Sequence, residues 1–207
     1  MTGGRIIKVC GMTAAENIRA VEALGVDMVG FIFYDPSPRC VRAVPSYLPV
    51  RARRVGVFVD ASFGQIMERR REFGLDYVQL HGSESPELCR RLRSEGLGVI
   101  KAFGIGEGGA GLPEAGSPYE EWCSMYLFDT RSSGYGGSGR AFDWTALGSY
   151  EAHVPFILSG GIGPEDFDAI KMIDTKYFAG VDLNSRFESS PGFKDVSLLQ
   201  AFLSQLA

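Results

Sequence analysis

The stretch RVGVFVDASFGQIMERRREFGLDYVQL, residues 54–80, contains one complete strand–helix–strand unit. Its two ends, residues 54–59 and 77–80, are short apolar runs. Near-continuous apolar runs are typical of strands that are buried on both faces of a parallel sheet. Residues 62–73 between them have the amphipathic pattern of a helix. The stretch therefore indicates an α/β protein built on a parallel sheet.

The same alternation continues along the whole chain. Further apolar runs predict strands at residues 6–9, 28–33, 99–102, 125–128, 156–158 and 177–181. Further helices are predicted at residues 13–24, 85–94, 143–147, 164–172 and 195–205, the first of them opening with a capping box from Thr13 to Glu16. Residues 46–50 and 106–121 are poor helix formers. Eight strands with mostly helical connections predict a single (β/α)8 TIM barrel, one domain over residues 1–207. An open doubly wound sheet is the alternative that periodicity leaves open.

Composition limits the function classes. Net charge is −4 and the sequence pI is about 5.3, which argues against nonspecific binding to nucleic acid, although a local pocket can still hold a small anion. The absence of an apolar run of about 18 residues and of a signal-peptide pattern predicts a cytoplasmic protein with no membrane partner. The cysteines are widely spaced and only two histidines occur, so neither a disulfide framework nor a metal site is expected.

The residues that follow the predicted strands are the candidate functional residues, because the active site of a TIM barrel lies at the C-terminal ends of its strands. The turn SGGIGP, residues 159–164, is the most specific signal among them. Glycines let backbone N–H groups approach an anion closely, and a helix starting at Pro164 would direct its N-terminus toward it. The turn therefore predicts a phosphate site, with an ordinary tight turn before a capped helix as the alternative. The other strand-end residues are Cys10-Gly11, Tyr34 with residues 37–39, Asp60, His81-Gly82, Phe103, Asp129-Thr130, and Asp182 with Asn184-Ser185.

Position alone leaves the role of each reactive side chain open. Cys10, a thiol just before a predicted helix start, can have a lowered pKa and act as a thiolate, or can be a small buried apolar residue. Asp129 can be a functional carboxylate, a helix cap or a structural carboxylate. Arg39, which follows a Pro-Ser-Pro turn, can bind a carboxylate in bidentate fashion or be a solvated surface residue. Residues 132–139 are too glycine-rich for a helix or strand and predict either a lid or a surface loop.

A set of short motifs runs in order along the chain. They are KVCGMT at 8–13, GFIFY at 30–34 with SPR at 37–39, VGVFV at 55–59, VQLHG at 78–82, IKA at 100–102, FDT at 128–130, GGSG at 136–139, FDW at 142–144, SGG at 159–161, DLNS at 182–185, PG at 191–192 and KD at 194–195. Each motif is weak alone, but the ordered set resembles the phosphoribosylanthranilate isomerase family over nearly the whole chain.

The resemblance implies an isomerase of tryptophan biosynthesis. Its reaction is the Amadori rearrangement of N-(5-phosphoribosyl)anthranilate to 1-(2-carboxyphenylamino)-1-deoxyribulose 5-phosphate, which needs no cofactor or metal. By resemblance, Asp129 is the general acid and Cys10 the general base. The residues implied to bind substrate are Arg39 for the anthranilate carboxylate, Gly160, Gly161, Asn184 and Ser185 for the phosphate, and Asp182.

The sequence departs from the family pattern in two places, at Arg186 and in the poor helix formers at residues 106–121, and it bears on several rival functions. Arg186 stands where many relatives have a small residue, and it would either add a cation beside the phosphate or point to solvent. A metal-dependent epimerase needs a histidine–carboxylate cluster, but only His81 lies at a strand end. An indole-glycerol-phosphate synthase needs a catalytic lysine and an extra N-terminal segment, and the bifunctional isomerases have an aspartate where Cys10 lies. The remaining alternative is a diverged or non-catalytic barrel that binds sugar phosphates. We expect a monomer or homodimer that acts on a small phosphorylated molecule.

Overall fold

The fold is a closed barrel of eight parallel strands, each paired with the next, with β1 and β8 completing the ring. The computed structural model describes residues 4–129 and 144–206. The strands are β1 Ile6–Val9, β2 Met28–Ile32, β3 Arg53–Phe58, β4 Tyr77–Leu80, β5 Gly98–Gly104, β6 Met125–Asp129, β7 Phe156–Ser159 and β8 Phe178–Leu183. The predicted TIM barrel is confirmed, and the open-sheet alternative is wrong.

Helices and 3-10 turns cover the outside of the barrel. The α-helices are α1 Ala15–Ala23, α2 Phe63–Phe73, α3 Pro86–Ser94, α4 Phe167–Lys171 and α5 Val196–Leu206. The 3-10 helices are Glu107–Gly109, Trp144–Ser149, Pro164–Asp166 and Ser185–Phe187. A short antiparallel hairpin, β9 Glu188–Ser190 and β10 Phe193–Lys194, follows β8. In the part of the chain described here, no helix is long and apolar enough to cross a membrane.

The predicted capping box at the first helix is wrong. Helix α1 begins at Ala15, and its N-cap residue Ala14 makes no side-chain hydrogen bond. The hydroxyl of Thr13 instead donates to the carbonyl of Gly192 in the β9–β10 hairpin, at 3.0 Å. A long-range contact therefore takes the group that the local pattern assigned to capping. The capping box that does form is at the start of α2, between Ser62 and Gln65.

The connection between β2 and β3 contains no helix, as the poor helix formers at residues 46–50 predict. A buried carboxylate organises it instead. Glu22 on α1 accepts hydrogen bonds at Oε1 from the backbone N–H groups of Val50, Arg51 and Ala52, at 2.6–2.9 Å, and at Oε2 from the Tyr47 hydroxyl. These hydrogen bonds satisfy the backbone N–H groups that a helix in this segment would have paired internally.

The inside of the barrel contains both an apolar cluster and a buried ion pair. Alternate strand residues form the apolar layer, which consists of Met28, Val55, Ile100, Ala102, Met125, Leu127 and Ile157. The buried pair Lys8 and Asp182 comes from β1 and β8, which close the ring. The charged groups therefore lie toward the strand ends where a TIM-barrel site is expected.

Candidate active site

A cavity of about 260 Å³ opens at the C-terminal ends of the strands. All of the predicted site residues line it: Cys10, Arg39, Asp129, Gly160, Gly161, Asp182, Asn184 and Ser185. The cavity is also lined by Tyr34 and His81, strand-end candidates to which the sequence gave no role, and by Gln79, which was not a candidate. The predicted lid, residues 132–139, lies outside the described residues.

Cys10 is fixed directly after β1 at the bottom of this cavity. Its N–H donates to the carbonyl of Leu183 at 2.9 Å, and its side chain is buried. A Cβ atom at Gly30 on β2 would lie 2.7 Å from Sγ, so glycine there leaves room for the sulfur. Burial raises the pKa of the Cys10 thiol, and the Lys8 ammonium opposes this rise. Helix α1 begins at Ala15, so its start lies further from the thiol than the helix predicted from Thr13.

Lys8 and Asp182 form a buried ion pair beside the thiol. Nζ donates to Oδ1 at 2.9 Å, and the two side chains are 0% and 4% exposed. Burial alone would lower the pKa of Lys8, but the charges of Asp182 and Cys10 raise it above its ordinary value. Asp182 was predicted only as a substrate-binding residue, and the structure shows that it also holds this lysine.

Asp129, at the end of β6, faces a histidine from β4. The distance between its Oδ2 and Nε2 of His81 is 3.4 Å. On the other side of the ring, Nε2 of Gln79 lies 3.2 Å from Nδ1 of His81. Sequence reasoning placed His81 at a strand end but gave it no role, although that position was the available signal.

Arg39 is part of a charged cluster rather than a solvated surface residue. Its Nε and Nη2 form a fork on the carboxylate of Glu188, at 2.6–3.0 Å, and its side chain is only 19% exposed. The hydrogen bonds from Arg39 to Glu188 raise the pKa of the guanidinium. Glu188 also accepts from Nζ of the buried Lys194 at 2.6 Å. Glu188 binds the edge formed by Nε and Nη2, so the edge formed by Nη1 and Nη2 is the candidate for binding a ligand carboxylate.

Gly11 lets this cluster pack against the strand-eight loop. Its φ of +77° is in the left-handed region. A Cβ atom there would lie 2.7 Å from Cδ of Arg39 and 2.8 Å from Oδ1 of Asn184. The same Oδ1 accepts from Nζ of Lys194 at 2.7 Å. Asn184 is therefore held by its side-chain oxygen, which leaves its amide nitrogen and the adjacent Ser185 as the polar groups of this loop.

The glycine turn after β7 differs in part from its predicted form. Gly160 and Gly161 have φ values of +99° and +74°, as expected for a tight turn that carries backbone N–H groups to the cavity. The predicted helix at residues 164–172 instead begins as a 3-10 turn, and α4 has only five residues. The N–H of Gly163 donates to Oδ2 of Asp166 at 2.7 Å. Because an internal carboxylate occupies this N-terminus, the glycines rather than the helix are the candidate anion donors.

Arg186 lies beside the turn rather than in the cavity lining. Its guanidinium pairs with the carboxylate of Glu165, and the two side chains are 53% and 59% exposed. The pair joins the loop after β8 to the loop after β7. The sequence left open whether Arg186 faces the phosphate or solvent, and the structure places it in a solvent-exposed ion pair. Within residues 4–129 and 144–206, no cluster of histidine, cysteine and acidic residues is arranged to hold a metal ion.

Comparison with known proteins gives one consistent result. The sequence model of the family described as N-(5'phosphoribosyl)anthranilate (PRA) isomerase matches residues 7–205. The N-(5'-phosphoribosyl)anthranilate isomerase of Phocaeicola vulgatus is 48% identical over 97% of both chains, and that of Parabacteroides distasonis is 46% identical over 97% of this chain and 93% of its own. The crystal structure of the Thermotoga maritima phosphoribosyl anthranilate isomerase is similar, with a TM-score of 0.78, 32% identity and 98% of each chain covered. A structure of such an isomerase with reduced 1-(o-carboxyphenylamino)-1-deoxyribulose 5-phosphate has a TM-score of 0.77, with 30% identity and 98% of each chain covered.

Proposed function

The chain belongs to the N-(5'-phosphoribosyl)anthranilate isomerase family of tryptophan biosynthesis, and from that premise we propose that Cys10 and Asp129 carry out the proton transfers of its reaction. The protein is an isomerase that converts N-(5-phosphoribosyl)anthranilate into 1-(2-carboxyphenylamino)-1-deoxyribulose 5-phosphate. The observation that carries the assignment is that the thiol and the carboxylate line one cavity from β1 and β6. In the closed strand order β7 and β8 separate them, so they reach a bound sugar from different sides.

The first proton transfer opens the sugar ring. Asp129 gives a proton to the furanose oxygen, the bond from that oxygen to C1′ breaks, and the anthranilate nitrogen stabilises the resulting iminium. His81, whose Nε2 faces Oδ2, contacts the carboxylate that remains. An acid is effective here when it is protonated near the working pH and lies within hydrogen-bond reach of the oxygen.

The second proton transfer gives the ketose skeleton. The thiolate of Cys10 removes the proton from C2′, and the electron pair moves through C1′ to the nitrogen to form an enol-amine. The enol-amine then loses its hydroxyl proton and gains one at C1′. When Asp129 accepts the first of these protons and Cys10 gives the second, both groups return to their starting states. No electron leaves the substrate, so the reaction requires no redox cofactor.

The other lining residues suit the two anionic ends of the substrate. We assign the phosphate to the backbone N–H groups of Gly160 and Gly161 together with Asn184 and Ser185, since left-handed glycines let an anion approach the backbone. Arg39 uses its end-on edge to hold the anthranilate carboxylate while Glu188 holds the other edge.

We also assign Asp182 to the sugar. Its Oδ1 accepts from Lys8, and its carboxylate lines the cavity with the residues of the proposed carboxylate and phosphate subsites, which supports a role in holding sugar hydroxyls. We further propose that residues 1–207 form one cytoplasmic domain that works as a monomer or homodimer, as a relative from Thermotoga maritima is described as dimeric.

The test follows the loss of anthranilate fluorescence when freshly generated phosphoribosylanthranilate is converted, with EDTA present. Cys10→Ala and Asp129→Asn should each reduce turnover by at least about 100-fold, the contribution of a positioned acid or base. Cys40→Ala and Asp168→Asn change the same residue types outside the cavity lining and should retain turnover. Near-normal turnover by either site variant would refute its role. No turnover by folded wild-type protein would favour a diverged sugar-phosphate barrel.

A further inference from the structure

Lys8 is a fully buried cation on the same strand face as the proposed base. Successive strand residues point to opposite faces, so residues 8 and 10 point to the same side of β1, into the barrel. Asp182 lies directly opposite Lys8 in the register of β1 with β8. The Lys8 side chain is 0% exposed, and its Nζ donates to Oδ1 of Asp182 at 2.9 Å. The order along this wall of the barrel is carboxylate, ammonium, thiol.

A buried ammonium destabilises the fold unless neighbouring groups compensate its charge. Moving an ammonium out of water costs several kcal/mol. One carboxylate satisfies only part of its hydrogen-bonding capacity, because an ammonium has three donors. Cys10, two residues further along the same face of the strand, is the second group whose charge acts on that of Lys8. A neutral thiol is a weak partner, whereas a thiolate completes the environment of the ammonium.

The wider set of charges around Cys10 favours the same form of the sulfur. Lys194 acts on Cys10 from the hairpin and Arg39 from the loop after β2. The set consists of three cations, Lys8, Lys194 and Arg39, and two carboxylates, Asp182 and Glu188. It therefore has one excess positive charge, which a thiolate would balance. The other titratable groups that line the cavity on the far side are His81, Asp129 and Tyr34.

We propose that Lys8 is a positioning residue of the isomerase, whose ammonium group, held by Asp182, stabilises the thiolate of Cys10. This inference rests on the proposed role of Cys10 as the base. It assigns a function to the lysine of the KVCG segment, which the acid–base mechanism does not use. It also gives the two members of the buried pair opposite effects on the sulfur: the lysine favours the thiolate, and the carboxylate opposes it.

The opposite effects provide the test. The pH dependence of iodoacetamide alkylation, followed at Cys10 by peptide-resolved mass spectrometry, measures the pKa of this thiol without any need for turnover. Lys8→Met should raise that pKa by about 1 to 3 units, the usual effect of an opposite charge at this range, whereas Asp182→Asn should lower it. Lys101→Met is the matched control, because Lys101 is another buried lysine, lies on β5 rather than β1, and also has a carboxylate partner, Glu84. The control should leave the pKa of Cys10 unchanged.

The kinetic readout separates this role from a purely structural one. In Lys8→Met the rise of kcat/KM with pH should move upward by the same amount as the thiol pKa, and activity should recover toward high pH. If Lys8→Met does not fold because Asp182 is left buried alone, Asp182→Asn still decides the question. Equal pKa values in wild type and Asp182→Asn, or shifts of the same sign in both variants, would overturn the proposal. If those shifts are absent while Cys10→Ala is inactive, only this inference fails; if Cys10→Ala is active, the proposed base itself fails.

Discussion

The contact between β2 and the Cys10 sulfur gives a quantitative prediction for Gly30→Ala. The new Cβ would lie 2.7 Å from Sγ, 3.1 Å from Cα and 3.3 Å from Cβ of Cys10. Carbon and sulfur atoms in contact are ordinarily about 3.5–4.0 Å apart, so the sulfur must move by roughly 1 Å. Overpacking of this kind costs about 1–3 kcal/mol of unfolding free energy. A displacement of about 1 Å at a reacting group costs about 100-fold in rate.

Urea unfolding followed by circular dichroism measures the first effect, and kcat/KM in the fluorescence assay measures the second. Gly64→Ala is the matched control, because Gly64 lies on the exposed side of α2 and a Cβ there meets nothing within 4 Å. The control should gain about 0.5–1 kcal/mol, since alanine is the better helix former, and should keep its activity. If Gly30→Ala matched wild type in both stability and kcat/KM, the close approach of the two strands would not constrain the base.

Two further predictions concern buried carboxylates. Glu188→Gln leaves the cations of Arg39 and Lys194 without a charged partner, so we expect a loss of about 3 kcal/mol in urea unfolding and a raised KM; unchanged stability would contradict the buried cluster. Although burial acts to raise the pKa of Glu22, hydrogen bonds from Tyr47 and from backbone N–H groups lower it below its ordinary value of 4.5. A lowered folded-state pKa gives stability that is present above the unfolded pKa and lost as pH falls through the folded pKa. Glu22→Gln should therefore be less stable than wild type at neutral pH, with a difference that shrinks as the pH falls below 4.5, and a pH-independent difference would refute the cause.

The strands could be predicted from the sequence because their signal is local. An apolar run bounded by turns is sufficient to find a strand buried on both faces, and the predicted run at residues 77–80 coincides with β4. The same runs predicted which end of the barrel carries the active site, because that site lies at the C-terminal ends of the strands. Cys10 and Asp129 became candidates in this way, without any knowledge of their contacts, and the family resemblance then gave them their proposed roles.

The errors and omissions come from contacts between distant parts of the chain. Thr13 was assigned to a capping box, but its hydroxyl binds a carbonyl 179 residues away. The sequence identified Lys8 only as part of the KVCGMT motif and gave it no role, because its partner Asp182 is 174 residues away. Glu188 was not noticed at all, since its importance comes from Arg39, 149 residues earlier. Local propensity does not include these tertiary interactions, and they decide where the charges of the site lie.

The β9–β10 hairpin has a consequence for how the enzyme is made. It carries Glu188 and Lys194 to the thiol, and it is attached to the first helix through Asn17, whose amide bonds both the N–H and the carbonyl of Lys194, at 2.7 and 2.9 Å. A growing chain that has not yet released this hairpin lacks Lys194, one of the three cations around Cys10, and its partner Glu188. The thiol therefore acquires its full electrostatic surroundings only after the hairpin that follows β8 has been synthesised and has docked on the first helix.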